Sequence, residues 1–553
     1  MKFLISILIL SFSVLLMTSK TQADSLQALK ALPIQEAGRV KPFDTFARET
    51  LQLVHGKQTY EKRPATEILM TWVLQPTAWE EKKFIEIKHH LVKRALKFSE
   101  TEKYFSPKEI LTSDRLSMLM QELQAKREAK EKLDPYFQAV QLLEDQISTF
   151  QGVATGQLIK ILPPKEGQNW IAITDFTEPQ AQAFLEITKA YMGVLQFVMT
   201  GQGTGQLTES EVKSNLDQAC EKFQALAKAN QPELYPTTTK MNSEVHYNSF
   251  HPFKWAWVFY LLTLVSILLL WILKKDFLYK LSWLFISLGF LIHLYGFGLR
   301  MYLSERAPVS NMYETVVYVS LGTVLFAMVI EYLYRWRFII SAGAAVGAFC
   351  LILADLAPAV LDPSIHPLEP VLRSNFWLTV HVLTITISYA AFFLAFALGD
   401  IGLFYFLKGE HKHEAKIKAI TLAVYRSIQI GTAFLAPGII LGGVWADYSW
   451  GRFWGWDPKE TWALIALLAY MAVLHARMAG MLKNFGMIAA GVVSFATVIM
   501  AWYGVNYVLG AGLHSYGFGA GGVEYVAAFV GAHLVFTVFV AVARREKLNE
   551  KTT

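Results

Sequence analysis

Nine apolar stretches, at about 255–273, 281–303, 313–333, 338–357, 376–407, 427–445, 462–480, 485–508 and 523–543, fill the second half of this chain. Each is close to or above the roughly 20 residues that a helix needs to cross the hydrocarbon core. In lipid every backbone polar group must be satisfied inside the protein, so segments of this length are helices. The 53% hydrophobic and 14% aromatic content is likewise too high for an ordinary soluble protein. The expected fold is an all-α polytopic membrane protein with about nine transmembrane helices. The basic clusters Lys274-Lys275, Arg335–Arg337, Lys408–Lys418, Arg477–Lys483 and Arg544-Arg545 fall on alternate sides of the stretches, so all lie on one face. By the positive-inside rule that face is cytoplasmic. The formal charge of +6 needs no nucleic-acid partner beyond this.

Ahead of the spans, Met1 to Ala23 reads as a signal peptide. Lys2 gives the charged start, Phe3–Met17 the apolar core and Thr21-Gln22-Ala23 a small-residue cleavage site, with an uncleaved anchor as the alternative. Residues 24–254 hold no membrane-length run and are rich in Lys, Glu and Gln. Amphipathic spacing in Ile85-Ile87-His90-Leu91-Arg94-Ala95 and Tyr136-Val140-Leu143-Ile147 predicts an exported, mostly helical soluble domain. Residues 255–545 form the membrane domain and 546–553 a cytoplasmic tail. An exported first domain followed by nine crossings leaves the C-terminus beside Arg544 and Arg545 in the cytoplasm, in agreement with the charge rule. His89-His90 reads as a solvated pair on a charged helix. Cys220 and Cys350 fall in different compartments and no CxxC or CxxCH occurs, so the chain is neither a dithiol enzyme nor itself a c-type cytochrome.

Between the sixth and seventh spans lies Trp445 to Trp462, WADYSWGRFWGWDPKETW, expected as a loop on the outer face. Trp445, Trp450, Trp454, Trp456 and Trp462 crowd into it, with Asp447, Arg452, Asp457, Lys459 and Glu460 as a polar rim. Trp and Tyr gather at membrane interfaces in any case, but one or two per helix end, not five in one loop. The density suits a large, flat, apolar ligand with charged edges, of which haem is the obvious candidate. Part of the run is purely structural: Asp457, Pro458 and Glu460 are spaced as an N-cap, first position and third position of a helix. Asn311 and Glu314 have the same capping-box spacing.

The histidines sort by depth. His381, just inside the outer start of the fifth span, and His514, after the eighth, share the tryptophan loop's face; two such imidazoles suit bis-histidine haem ligation. His475 lies on the seventh span near Arg477, and His293 and His533 near mid-depth on the second and ninth. An ionisable group within a span is a functional candidate by default, although a neutral imidazole also serves as a helix-to-helix hydrogen bond, the reading preferred for His533. His366 is a competing outer ligand. Arg300 and Arg306, outside against the charge trend, suit anionic groups such as haem propionates or lipid headgroups.

WGRFWGWDPKETW resembles the WWD signature of haem-handling membrane proteins. Pro308-Val-Ser-Asn-Met-Tyr-Glu314 and Asn375-Phe-Trp-Leu-Thr-Val-His381 narrow the resemblance to the CcsA/ResC-type cytochrome c biogenesis proteins of System II, over roughly residues 255–545. It implies that haem b, as substrate, is passed outward and presented at the WWD loop. There its vinyl groups are joined to the reduced cysteines of a CxxCH apocytochrome, making the chain a component of a cytochrome c haem lyase. By position it implies His381 and His514 as axial ligands of the outer haem, with Trp445, Trp450, Trp454, Trp456 and Asp457 around the macrocycle. His475 becomes a ligand of a transit haem whose other ligand comes from a CcsB/ResB-type partner or, less favoured, from His293. Thiol-reducing proteins that keep the apocytochrome reduced are further implied partners. So is a bacterial inner membrane location, with the N-terminal domain and WWD loop periplasmic. Leu32-Pro-Ile-Gln-Glu-Ala-Gly-Arg-Val-Lys-Pro-Phe-Asp44 resembles an exported extension of some members, without an assignable role.

Two other readings compete. A CcmC/CcmF-type System I protein shares the WWD platform but exchanges haem with a chaperone. A polytopic transporter would use the aromatic loop only as a gate or belt. A third, a respiratory oxidase or cytochrome b subunit, would need paired histidines inside the spans, whereas the pair nearest a shared level here lies outside the membrane core.

Overall fold

The computed structural model describes residues 26–131, 133–200, 207–358, 360–367, 375–510 and 522–549. The signal-peptide region and His514 lie outside the described residues. The chain parts into two compact units, one ending at Ser249 and one beginning at Phe250.

The first unit is mostly helical, with four two-stranded antiparallel sheets among the described residues. Its core joins Phe46, Leu51, Trp72, Phe84, Phe150 and Phe223, all but buried from solvent. Helix Pro135–Ala154 carries the expected Tyr136–Ile147 face, N-capped by Asp134 on the Phe137 N–H at 2.9 Å. The other amphipathic expectation is corrected. Ile85-Glu86 pairs as a strand with Tyr104-Phe105, and a helix begins only at His90. Both Ile85 and Ile87 are buried there, which the two-residue period of a strand satisfies and a helical period does not.

The Leu32–Asp44 motif gains a structural account. Pro33–Glu36 and Arg39–Pro42 form a hairpin that feeds helix Phe43–His55. From this corner Arg39 and Thr45 both bind Glu244, and Asn248 donates to Thr45 at 2.9 Å and to Asp44 at 3.4 Å. The motif therefore grips helix Thr238–Phe250, whose Glu244 side chain is buried. Buried charges of this kind persist only when paired and hydrogen-bonded.

In the second unit nine helices among the described residues are long and apolar enough to cross a membrane. We label them α1 (Pro252–Leu273), α2 (Asp276–Ser304), α3 (Met312–Tyr334), α4 (Ile339–Leu356), α5 (Asn375–Gly409), α6 (Glu414–Trp450), α7 (Pro458–Met478), α8 (Asn484–Leu509) and α9 (Val523–Asn549). Helices α5 and α6 make the most extensive pairing; α1 packs on α2 and α4, α3 on α4 and α5, and α8 on α5. Lipid offers little hydrophobic drive between helices, so small residues let the backbones approach. Gly343 and Gly347, spaced as small-xxx-small on α4, abut Ala327, Val324 and Tyr260, leaving no room for a Cβ. In contrast α7 and α9 are peripheral: 17% and 11% of their apolar stretches are buried, against 67% for α5.

The cluster Lys408–Lys418 is largely helical, since α6 begins at Glu414 rather than near 427. At that face Arg544 binds Glu410 at 2.8 Å and Arg337 binds Asp276 at 2.6 Å. Glu331, buried in α3, accepts from Tyr279 and from the backbone N–H groups of Arg337, Phe338 and Ile339. A carboxylate in a span is thus satisfied by the orphan donors at the next helix's start.

Candidate functional site

The loop after α2 and the ends of α3, α5, α6, α7 and α8 that lie away from the basic clusters surround one cavity of about 1250 Å³, its open mouth included. His381, Trp445, Trp454, Lys459, Glu460, Trp502 and Asn506 line it, with Arg306 to Met312 across from them.

His381 sits six residues into α5, about 9 Å along the axis from its start. Its Nδ1 lies 2.8 Å from the carbonyl oxygen of Gly438 on α6. A carbonyl can only accept, so Nδ1 carries the proton and Nε2 is the lone-pair nitrogen. This is how metal-binding histidines are oriented and their basicity raised. The imidazole lies parallel to the Trp445 indole, centroids 6.2 Å apart and planes within 9°. Gly442 makes this approach possible: a Cβ there would sit 2.5 Å from His381 Cε1.

The tryptophan stretch differs from its expected form. Helix α6 runs on to Trp450, where Gly451 ends it in the left-handed region, so only 451–457 is non-helical. The five indoles accordingly do not make one shelf. Trp445 is buried, and Trp450 packs edge-on against it at 4.7 Å under the Arg452 guanidinium. Trp454 enters the cavity, whereas Trp456 is 70% exposed and meets Trp454 at a right angle. Of the tryptophans in this stretch, Trp445 and Trp454 line the cavity; Trp450 and Trp456 do not.

The capping box forms as its spacing predicts. Asp457 accepts from the Lys459 N–H at 2.9 Å, and Glu460 reaches back to the Asp457 N–H at 3.2 Å. Glu460 also accepts from the Gly455 N–H and from Arg452. Asp457 is buried in this structural role. The second predicted box is only half made. Asn311 accepts from the Glu314 N–H, but Glu314 turns to Arg300 at 2.9 Å and to the Ser310 N–H and hydroxyl. Arg300 and Glu314 are both fully buried, and Arg300 also donates to the carbonyls of Pro363 and Ser364. Arg300 is therefore committed inside the protein, while Arg306 lines the cavity and donates to Ser310 and to the His366 carbonyl.

The other histidines fall into distinct settings. His293 is fully buried; its Nε2 meets the Val317 carbonyl and its Nδ1 the Tyr260 hydroxyl, both at 3.1 Å. With both nitrogens committed, an iron would have to displace one of these bonds. His475 is exposed on the outer face of α7, its Nδ1 2.7 Å from the Met471 carbonyl, so Nε2 is again the lone-pair nitrogen. His533 bridges its own helix, through Phe529, and Asp400 of α5 at 3.4 Å. His366 binds Asp362 at 2.9 Å. Burial opposes the charged form of Asp362, but hydrogen bonds from His366 and Ser364 outweigh it and hold the carboxyl at about 2.

Residues from α8 were not anticipated. Its last turns, Met500–Leu509, form a π-helix, a local widening frequent at functional sites. It brings Trp502 and Asn506 into the cavity, Trp502 donating to Thr315 of α3 at 3.0 Å. An indole and an asparagine in an apolar span were the available signal.

A family model described as cytochrome C assembly protein matches residues 309–514. Every cavity-lining residue except Arg306 and Ala307 falls inside that segment. CcsA of Parasynechococcus marenigrum is 32% identical over 287 residues, covering 47% of this chain and 93% of the relative. The chain belongs to the CcsA-type cytochrome c biogenesis family. CcsA of Guillardia theta is similarly 32% identical, over 40% of this chain and 80% of its own. NrfI of Wolinella succinogenes is 29% identical over 510 residues, 87% of this chain, a match that necessarily enters both units. The chain spans about half, 53%, of that relative's length. Among solved structures, a cytochrome c haem lyase, CcmF, aligns at a TM-score of 0.38 and 15% identity over 53% of this chain and 50% of its own, too low to constrain fold or chemistry. Family membership places this multi-pass membrane protein in cytochrome c maturation.

Proposed function

We propose that the chain receives haem b from the inner side of the membrane, presents it in the cavity around His381, and promotes its covalent attachment to a CxxCH apocytochrome. The single observation that carries this reading is the His381 imidazole, fixed in one tautomer by the Gly438 carbonyl at the wall of a tryptophan-lined cavity. His381 would bind iron through Nε2, with His514 as the opposite ligand. Trp445, Trp454 and Trp502 would contact the macrocycle. The reaction adds each cysteine thiol across a vinyl group: a carbon–sulfur bond forms, the thiol hydrogen ends on the vinyl's terminal carbon, and no net oxidant is consumed. The chain's contribution is to hold the porphyrin so that two vinyls and two thiols meet, which is catalysis by proximity.

His475 supports the transit half of the reading. An imidazole with a defined lone-pair nitrogen on the exposed apolar face of a peripheral helix suits a haem shared with a CcsB/ResB-type partner. The setting of His293 argues against it as the second ligand. The remaining assignments follow: the cavity on the periplasmic side of a bacterial inner membrane, the basic ends cytoplasmic, and reductants keeping the apocytochrome thiols free.

The test is reconstitution in a host lacking its own c-type maturation system, with a CcsB-type partner and a reporter apocytochrome. Covalent, pyridine-resistant haem on the reporter is expected. A requirement for a haem chaperone would instead support the CcmC/CcmF-type reading, and purification without any Soret band would return the tryptophans to an interfacial belt.

A further inference from the structure

The cavity around His381 contains a cation that makes no ion pair with a carboxylate among the described residues. Lys459, half-buried in the first turn of α7, lines it beside Trp445, Trp454 and Trp502. Its Nζ has three protons to give, and its hydrogen bond goes to the neutral Asn506 Oδ1 at a long 3.4 Å. Among the described residues no carboxylate lies within ion-pair distance of it. The two acids beside it hydrogen-bond other groups: Asp457, whose charge is nevertheless felt at Lys459, caps α7, and Glu460 takes Arg452 and two backbone N–H groups. Asn506 is itself held, its Nδ2 donating to the Trp502 carbonyl at 3.0 Å, which turns Oδ1 toward the ammonium. A cation so placed in a membrane protein is costly unless something anionic meets it.

We infer that Lys459, backed by Asn506, is the receptor for a carboxylate of the ligand that fills this cavity, and so sets which edge of the ligand lies there. This rests on the haem reading above and makes it specific. The ligand is a flat apolar molecule that is dianionic along one edge, as a porphyrin dicarboxylate is. With a propionate on Lys459, the vinyl-bearing edge is directed away from α7 and α8. Lysine suits the task as a compact point charge that accepts a carboxylate in several geometries. Orientation matters because attachment must join particular vinyls to particular cysteines; a porphyrin bound in reverse would present its carboxylates to the thiols.

The experiment is a Soret-band titration of the full-length detergent-purified chain with ferric protoporphyrin IX and, separately, with its dimethyl ester, for wild type, Lys459→Met and Lys459→Arg. Wild type is expected to bind the free acid roughly tenfold to a hundredfold more tightly than the ester, the range of a charge-assisted hydrogen bond. Lys459→Met should erase that preference while leaving ester affinity and the histidine-ligated spectrum unchanged, and Lys459→Arg should restore part of it. Equal binding of acid and ester by wild type overturns the inference while leaving haem binding intact. So does a Lys459→Met variant that weakens both ligands alike, which marks a merely structural lysine. Wild type that binds neither porphyrin overturns the haem reading itself, and the inference with it.

Discussion

His381 and His475 are alike at the level of the single side chain and opposite in their surroundings. Each has Nδ1 bonded to a backbone carbonyl, Gly438 in one case and Met471 in the other, so each leaves Nε2 as the lone-pair nitrogen. The carbonyl that fixes His381 belongs to another helix, and its ring lines a cavity walled by four further helix ends. His475 is fixed by its own helix four residues back, on a face of α7 that is exposed among the described residues. The first ring is enclosed by its own chain; the second stands open on one helix, and on the proposed reading only the second needs another molecule to complete a haem site.

The largest effect should come from His381→Gly. Assembly of a reporter c-type cytochrome should fall by more than about a hundredfold, since even partners that only orient a metal ligand are worth about 10–100-fold. Added imidazole should restore part of it, and assembly that persists without imidazole would break the comparison at its stronger end. Next, His475→Ala should abolish the haem acquired in cells with the partner present, yet leave the purified chain able to bind added haemin. A His475→Ala chain that no longer takes up added haemin would show the two sites to be one. Third, Gly442→Ala places a methyl against His381; overpacking of this kind costs about 1–3 kcal/mol, so haemin affinity should fall roughly fivefold to a hundredfold. Gly298→Ala, where an added Cβ meets nothing within 4 Å, is the matched control. The smallest effect on haemin binding is expected for Trp456→Ala, within about twofold, because this indole is exposed outside the cavity. A loss as large as that of Trp454→Ala would restore the picture of five tryptophans acting as one platform.

Much of this was legible in one dimension. Membrane helices announce themselves by length and hydropathy, because each must satisfy its own backbone in lipid. The cap at Asp457-Pro458-Lys459-Glu460 was equally legible, since its bonds join residues two or three positions apart. The Asn311 box was half misread because Glu314 found a buried arginine, a contact over fourteen positions that no local spacing encodes. Density of tryptophan marked the right stretch but not which rings matter. The continuation of α6 to Trp450 turns successive indoles to different sides, and only packing says which side is the cavity.

The sequence by itself therefore determined the nine spans, the polarity of their ends and the residue types a haem site needs, all properties of contiguous segments. The tertiary structure alone decided that His293 is locked between Val317 and Tyr260, that a π-helix carries Trp502 and Asn506 to the cavity, and that Lys459 makes no ion pair there among the described residues. Those facts depend on which faces of non-adjacent helices meet, and in a membrane that is settled by close packing and polar satisfaction rather than by hydropathy.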